Sequence, residues 1–428
     1  MHVITTRWNW NRWVAAGLLG ALGWSNAASA DAVTDWHAIA ANTLCSGPAT
    51  PPRSGPVGYL DMAMAQAAVY DAVQAIGGKY KPYHVQIPGA SGSPEAAAAK
   101  AAHDVLVAFY APKAEELGKT YKEYLAKKGL KEDDPGVAVG QKAAAGIIAM
   151  RAEDGRVPTT TPVAWMGETA MGKWRPVDSA RAPASAGMAA PWLGSVKPFV
   201  IQSGSSQFQP NKPPPAWTSA EYTKDYNEVK AVGAKTNSTR TPEQTEMANF
   251  FSTDSPALCR VFQAAIREPV AAHVKDINES SRAIVLASLS VADAVITVWN
   301  TKRHDHTWRP ITAIHEADKD GNPATEPDPS WQPYLSTPPY SDWTSGGNGV
   351  SGAITRSHTL FFGKDECPFT VTNGTEKTRT YNKFSDFAQD IVDVRIYQGI
   401  HFRFADVAGR EQGEKVADYV FKNVGVPK

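Results

Sequence analysis

Cysteine is scarce in this sequence, with three in 428 residues: Cys45, Cys259 and Cys367. Odd in number and widely spaced, they form neither a zinc motif nor a disulfide framework, and at most one pair could close. Net charge is also absent, because 43 Lys and Arg balance 43 Asp and Glu, so we expect no nucleic-acid partner. With 43% apolar residues and 13 Trp, the chain can build a large core, which excludes disorder and fibrous repeats.

Long hydrophobic runs are limited to the N-terminus. Residues 14–23 are apolar, two arginines precede them, and the small residues 28–30 follow. This pattern predicts a secretory signal peptide over residues 1–30, cleaved before Asp31. The run is shorter than the roughly 20 residues that a bilayer span needs, and no later segment approaches that length. We therefore expect a periplasmic or secreted protein with no membrane span after processing.

Helical periodicity recurs along the mature chain, with turn signals between the periodic segments. The strongest segment, 281–300, is apolar nearly all round and is expected in the middle of a bundle. A hairpin is predicted at Phe369–Thr372 and Thr378–Tyr381. Helices dominate, so the sequence predicts an all-α fold with one short β-hairpin. The predicted helices are 31–44, 58–76, 94–110, 114–125, 136–152, 219–234, 241–251, 257–274, 281–300, 350–362, 385–395 and 408–421.

Residues 158–215 differ from the rest, since they are rich in Pro, Gly, Ser and Trp. A loop of this length inside a compact protein is usually functional or flexible. Its aromatic residues, together with Val200 and Ile201, indicate that it packs onto the helical body. We expect residues 31–428 to form one large helical domain that includes this loop.

A first charged motif, K-R-H-D-H-T-W-R-P, spans residues 302–310 at the end of the most apolar helix. Lys302 and Arg309 stand seven residues apart, close to two helical turns, so both cations could face one point. Alone this is weak evidence, because charged residues at a helix end are usually solvated or interact with the helix dipole.

A second motif, W-T-S-G-G-N, spans residues 343–348 and opens a predicted helix. The Ser345 hydroxyl and the Gly346 amide could therefore bind an oxyanion at a helix N-terminus. An ordinary N-cap serine followed by a glycine turn would give the same pattern.

A third motif, R-I-Y-Q-G-I-H, joins Arg395 to His401. Residues six apart do not share a face of a regular helix. The two side chains can converge only if Gly399 breaks the helix between them.

Taken together, the order K-x6-R-P, S-G and R-x5-H resembles the signature of vanadium-dependent haloperoxidases and type 2 phosphatidic acid phosphatases. The resemblance covers roughly residues 35–425 and implies two four-helix bundles. It implies that Lys302, Arg309 and Arg395 bind the equatorial oxygens of vanadate, with phosphate as a competing occupant. Ser345 and Gly346 would hydrogen-bond the same oxygens, and His401 would be the axial vanadium ligand.

Other positions favour the haloperoxidase branch of this family. The segment F-F-S-T-D ending at Asp254 resembles a family motif whose Asp supports the last cage arginine. Trp299 and Tyr340 stand where related enzymes carry aromatic residues near the halide. The anion-site motifs thus extend over residues 299–401.

The resemblance implies an exported enzyme that oxidises halide with hydrogen peroxide and passes the product to an organic acceptor. One alternative is a phosphohydrolase that attacks a phosphate ester with His401 as nucleophile. Another is a non-catalytic oxyanion-binding protein. The sequence identifies neither the halide nor the oligomeric state.

The sequence departs from the family pattern at Thr344, Gly347 and Val394, and the change at Gly347 is the serious one. It removes an imidazole that supplies general acid–base catalysis, typically worth about 10² to 10⁴ in rate. We expect an intact oxyanion cage with impaired or altered turnover. Four histidines near the motifs are candidate substitutes: His304, His306, His315 and His358. If His304 and His306 share a helix, at most one of them can face the site.

Overall fold

The structure, a computed structural model, describes residues 31–45, 56–160, 162–203 and 206–428. These residues form thirteen α-helices and one two-stranded sheet, so the predicted all-α class with a short hairpin is confirmed. The predicted signal peptide lies outside the described residues. The helices are α1 (Ala32–Cys45), α2 (Val57–Gly77), α3 (Pro94–Phe109), α4 (Ala114–Lys128), α5 (Pro135–Met150), α6 (Ala220–Val232), α7 (Pro242–Phe250), α8 (Ala257–His273), α9 (Ile277–His304), α10 (Pro310–His315), α11 (Gly346–Phe362), α12 (Phe384–Tyr397) and α13 (Arg403–Asn423).

Two helical bundles form the body. Helices α1, α2, α3 and α5 pack together in the first, and α9, α11, α12 and α13 pack together in the second. Helix α2 also lies against α9, which joins the bundles into one core. Alanines and glycines allow close approach: a Cβ on Gly140 of α5 would lie only 2.3 Å from the Ala97 carbonyl oxygen of α3.

Helix α9 is the central element, as its apolar sequence predicts. The expectation that no later segment approaches the length of a membrane span is wrong for this helix. Within the described part of the chain it is the one helix long and apolar enough to cross a membrane, but 94% of its apolar window is buried inside the protein. It continues beyond the predicted end, through Lys302 to His304. Residues 302–304 of the first charged motif therefore lie on α9, and residues 305–310 follow it.

The long loop 158–215 packs onto the second bundle through a buried carboxylate. Asp293 of α9 accepts hydrogen bonds from the backbone amides of Phe199 (2.6 Å), Val200 (2.8 Å) and Ile201 (3.0 Å). Burial raises the pKa of Asp293 to about 6 despite these bonds. Farther back in the loop, the Ala189 carbonyl accepts from Trp299 Nε1 at 3.2 Å. The loop is therefore fastened beside the anion-site motifs.

The one cysteine pair that the sequence allowed is formed. Cys45 at the end of α1 is bonded to Cys259 in α8, 214 residues later. Cys367 is buried with a free thiol. The bridge ties the first bundle to the helix that precedes α9.

The hairpin consists of β1 (Glu366–Thr372) and β2 (Thr378–Lys383), antiparallel with Phe369 opposite Tyr381. Their rings stack with centroids 5.6 Å apart. The β2 strand leads directly into α12, the helix that carries Arg395.

Candidate anion-binding site

Lys302 and Arg309 lie at the same end of the second bundle, although the helical spacing argument for them is wrong. Helix α9 ends at His304, and Arg309 is the N-cap residue of the short α10, which the sequence did not predict. The chain turns between them instead of continuing for a second helical turn. Both cations then face one ring: Lys302 Nζ is 5.1 Å and Arg309 Cζ is 5.0 Å from the centroid of Tyr340.

The guanidinium of Arg309 is 1% exposed and is held from two sides. Its Nε donates to the Tyr340 carbonyl at 2.7 Å, and its Nη1 donates to the Ile400 carbonyl at 2.5 Å. Nη1 also lies 3.0 Å from His401 Nε2. Burial lowers the pKa of Arg309 from its ordinary value, while Asp342 opposes that shift.

Lys302 is fully buried and its ammonium donates to two carbonyls, of Ser341 at 2.6 Å and Asp342 at 3.1 Å. Burial first, and the neighbouring Arg309 second, lower the pKa of Lys302 well below its ordinary value. An anion bound here would oppose this shift, because a nearby negative charge favours the charged form of the lysine.

The second motif begins helix α11, as predicted. Ser345 is its N-cap residue, but its hydroxyl makes no capping bond. The hydroxyl oxygen instead accepts from Asn348 Nδ2 at 3.2 Å. The amides of the first helical turn, starting at Gly346, have no intrahelical partners. A Cβ on Gly346 would lie 3.2 Å from the Trp299 ring, so this turn lies directly against the end of α9.

The third motif converges through the break that the sequence indicated. Helix α12 ends at Tyr397, and Gly399 has a φ of 76°, a left-handed conformation that glycine adopts at no steric cost. Arg395 lies in the last turn and is 2% exposed. Its Nη1 donates to Gln398 Oε1 at 3.0 Å, and Gln398 in turn donates to the carbonyls of α7 and its C-cap residue. Burial lowers the pKa of Arg395 to about 10.

His401 lies between a carboxyl and a guanidinium. Its Nδ1 is 2.7 Å from Asp342 Oδ1, while its Nε2 is the atom near Arg309. Burial, followed by the three surrounding cations, lowers the pKa of His401 well below its ordinary value. Asp342 is fully buried, and burial raises its pKa to about 7. The imidazole is therefore neutral, which is the form that can ligate a metal centre or attack phosphorus.

The expected support of Arg395 by Asp254 is not formed. Asp254 is exposed, and its Oδ2 accepts from the Ser336 amide at 3.1 Å. The partner of Arg395 is Gln398, three residues later on its own chain segment. The resemblance of the segment ending at Asp254 to a family motif therefore did not determine where its carboxylate points.

None of the four candidate substitutes for the missing histidine faces the site. His304 is 84% exposed at its side chain, and His306 pairs with Glu168 at 2.9 Å. His315 Nε2 contacts the Trp331 carbonyl, and His358 Nε2 contacts the Ile266 carbonyl. Because α9 ends at His304, His306 points toward the long loop. The substitution hypothesis therefore has no support from these residues.

Gly347 leaves room where the family pattern has an imidazole. A Cβ on this residue would lie 3.4 Å from Arg395 Nε and 3.5 Å from its Cζ and Nη2, which are ordinary van der Waals distances. The residue is partly exposed, unlike its buried neighbours Gly346 and Asn348. A side chain at this position would cover Arg395 on the open side of the site.

Sequence reasoning missed four residues near the site. Asp342 and Asp406 are fully buried carboxyls, and Tyr59 of α2 and the exposed Arg181 of the long loop both shift the pKa of Arg395. Asp342 alone had a local signal, since it directly precedes the second motif. Asp406 follows the third motif by five residues but belongs to no motif, and Tyr59 and Arg181 come from segments far from the motifs in sequence.

Trp299 and Tyr340 form an aromatic wall beside the cations. Their ring centroids are 5.1 Å apart at an interplanar angle of 56°. Trp299 is 3% exposed and packs against Gly346, while Tyr340 lies over both Lys302 and Arg309. The Trp299 side of this wall faces the long loop, where its Nε1 donates to the Ala189 carbonyl.

The donors fit a tetrahedral oxyanion such as vanadate or phosphate. Among the described residues, three buried guanidinium nitrogens at this site have no hydrogen-bond partner: Arg309 Nη2, Arg395 Nε and Arg395 Nη2. Buried donors are normally paired, so these N–H groups await an acceptor. Guanidinium forks, helix-start amides and a hydroxyl are the groups that bind phosphate-like anions.

Comparison with known proteins agrees with this geometry. Residues 282–426 match the family model of the VCPO second helical-bundle domain. A bacterial vanadium-dependent iodoperoxidase superposes with a TM-score of 0.74 at 25% identity, covering 92% of this chain and 95% of that one. A bacterial vanadium-dependent chloroperoxidase in its holo form gives 0.67 at 17% identity, covering 86% and 91%, a likeness of fold alone. No curated protein matches the sequence.

Fold and site together define a helical-bundle protein built around an oxyanion cage. The chain has the helical fold of the vanadium haloperoxidases, and residues 282–426 are similar to the VCPO second helical-bundle domain.

Proposed function

We propose that this protein is an exported haloperoxidase that binds vanadate and oxidises halide with hydrogen peroxide. The observation that carries the proposal is the set of unpaired guanidinium N–H groups of Arg309 and Arg395 beside the neutral imidazole of His401. The similarity to bacterial vanadium iodo- and chloroperoxidases supports it.

In this proposal each cage residue has a defined task. Lys302, Arg309 and Arg395 neutralise the oxygens of the anion, and Ser345 with the Gly346 amide completes the set of donors. Bound vanadate supplies a Lewis-acidic centre that activates peroxide without changing oxidation state. His401 would ligate it through Nε2 while Asp342, 2.7 Å from Nδ1, holds the ring in orientation.

The halide would approach along Trp299 and Tyr340. Ring edges carry partial positive charge, so an aromatic wall beside buried cations suits a weakly hydrated anion better than a strongly hydrated one. Hydrogen peroxide and the organic acceptor are small-molecule substrates in this scheme.

Export of the protein is part of the proposal. The Cys45–Cys259 disulfide supports it, because such bonds persist mainly in periplasmic and extracellular proteins. Edman sequencing of the protein secreted by its host would test it, with Asp31 as the expected first residue.

Phosphate-ester hydrolysis is the second candidate, and the His401–Asp342 contact favours it. A neutral imidazole oriented by a carboxyl is also suited to nucleophilic attack on phosphorus. Without an imidazole at position 347, the leaving group would have to depart unprotonated. Activity on p-nitrophenyl phosphate without activity on alkyl phosphates would identify this chemistry.

The deciding experiment measures bromide and iodide oxidation by hydrogen peroxide with the mature protein, with and without orthovanadate. We expect turnover that requires vanadate, is suppressed by phosphate and is lost in Lys302→Ala. Arg303→Ala is the matched control, because Arg303 is the exposed neighbour and lies over Trp165 instead. Absence of vanadate-dependent oxidation of either halide would overturn the proposal.

A further inference from the structure

A carboxyl group lies directly behind the Ser345 hydroxyl. Asp406, in the first turn of α13, accepts from Asn348 Nδ2 at 2.8 Å through its Oδ1. The same amide group donates to Ser345 Oγ at 3.2 Å. One amide therefore holds the hydroxyl that faces the anion and the carboxyl behind it in a fixed arrangement.

Asp406 is placed where an ionised carboxylate is costly. It is 0% exposed, and no Lys, Arg or His in the described part of the chain lies within ion-pair distance of it. A buried carboxyl without a cation partner normally keeps its proton. Burial raises the pKa of Asp406 well above its ordinary value, more than Ser345, Arg395 and Arg403 lower it, and Asp342 adds to the rise.

We propose that Asp406 is protonated in the resting protein and supplies its proton to the site through Ser345. It would thereby replace the general acid–base function of the imidazole that is absent at position 347. The inference rests on the proposed function. It assigns a role to a residue that no sequence motif singled out.

The proton transfer balances within the chain. With an oxyanion bound, the Ser345 hydroxyl would give a proton to one of its oxygens, and the Asp406 carboxyl would replace that proton on Ser345 Oγ. Asp406 is left as a carboxylate, stabilised by Asn348 Nδ2 and by the field of Arg395 and Arg403. The proton that hydrogen peroxide loses on binding would return through Ser345 to the Asp406 carboxylate. Asp406 touches no substrate. It is therefore a positioning residue that acts through Ser345, and its protonation state is expected to affect turnover.

Infrared spectroscopy of the unloaded protein tests the protonation directly. At about pH 9 an ordinary aspartic acid is ionised. So are Asp71, Asp225 and Asp293, whose pKa values burial raises to about 6, and Asp342, whose pKa burial raises to about 7. We expect a protonated-carboxyl band in the wild type that disappears in Asp406→Asn. Asp71→Asn is the matched control, because Asp71 is also fully buried but binds backbone amides of residues 83–85, in a segment separate from the cage motifs.

Activity and binding complete the test. Asp406→Asn should still bind inorganic phosphate within about threefold of the wild type, because Asn348 keeps an acceptor. Its kcat should fall by at least about 10²-fold, with a flattened pH profile and little change in the KM for halide.

The inference is overturned if the infrared band survives in Asp406→Asn, or if the pH profile of kcat is unchanged in that variant. If the wild type shows no vanadate-dependent turnover, the proposed function fails. The infrared band alone then decides whether Asp406 holds a proton.

Discussion

Placing an imidazole at position 347 is the sharpest perturbation that the site offers. The Cβ of the new residue would lie 3.4 to 3.5 Å from three atoms of the Arg395 guanidinium, with no closer contact. The position is helical, where glycine costs about 1 kcal/mol relative to alanine. Gly347→His and its control Gly347→Ala should therefore fold, with a free energy of unfolding equal to or above that of the wild type.

The charge state of the new histidine follows from its neighbour. Two positive charges about 5 Å apart repel by about 3 kcal/mol at an effective dielectric constant of about 20. That repulsion lowers a histidine pKa by about 2 units, so the ring should be neutral in the unloaded protein. A bound anion cancels the repulsion and allows the ring to take up a proton, as a general acid–base group must.

Turnover should therefore rise in Gly347→His by up to about 10² to 10⁴, the usual worth of general acid–base catalysis. Vanadate-dependent halide oxidation is the assay, and the gain should be smaller if Asp406 already supplies protons. Gly347→Ala should show no gain. Equal gains in the two variants, or no gain in a histidine variant that binds phosphate normally, would refute the argument.

Three further changes test the cage, the loop and the disulfide. Arg309→Lys cannot keep the bonds to the carbonyls of Tyr340 and Ile400, so phosphate affinity measured by calorimetry should fall about 10- to 100-fold, with Arg303→Lys unaffected. Because burial raises the pKa of Asp293 to about 6, the folded chain holds a proton that the unfolded chain releases between about pH 4 and pH 6. The free energy of unfolding of the wild type should therefore fall as pH rises through this window, by about 1.4 kcal/mol per pH unit from Asp293. Asp293→Asn should lack this contribution to the fall. Urea titrations at several pH values measure both. Reduction of the Cys45–Cys259 bond, which closes a loop of 214 residues, should lower the free energy of unfolding by about 5 kcal/mol; an unchanged urea midpoint would contradict this.

The helical body could be predicted because its signals are local. The Ala-rich periodicity, the capping residues and the prolines that mark a helix all lie within the sequence of that helix. The apolar residues on nearly all faces of α9 directly indicate that it is buried. Thr241 shows the same locality, since it begins α7 with a full capping box that it forms with Gln244, three residues later.

The site was less accessible to sequence reasoning, because its geometry depends on turns and on distant segments. Lys302 and Arg309 were named from a helical spacing that does not exist, and α10 was missed because six residues carry little periodic signal. Asp406 is not part of any of the three motifs, and its proposed role follows from its burial beside Ser345. The direction of the Asp254 side chain depends on a turn whose shape no letter pattern specifies.

The unpaired donors of Arg309 and Arg395 have a consequence for the assembly of the protein. Folding must bring Lys302 and two arginines together before any anion neutralises them, so the anion acts as a ligand of the folded state alone. Any such ligand stabilises the fold by RT ln(1 + [L]/Kd). Phosphate bound at the proposed site would thus raise the free energy of unfolding, independently of any catalytic need for vanadium.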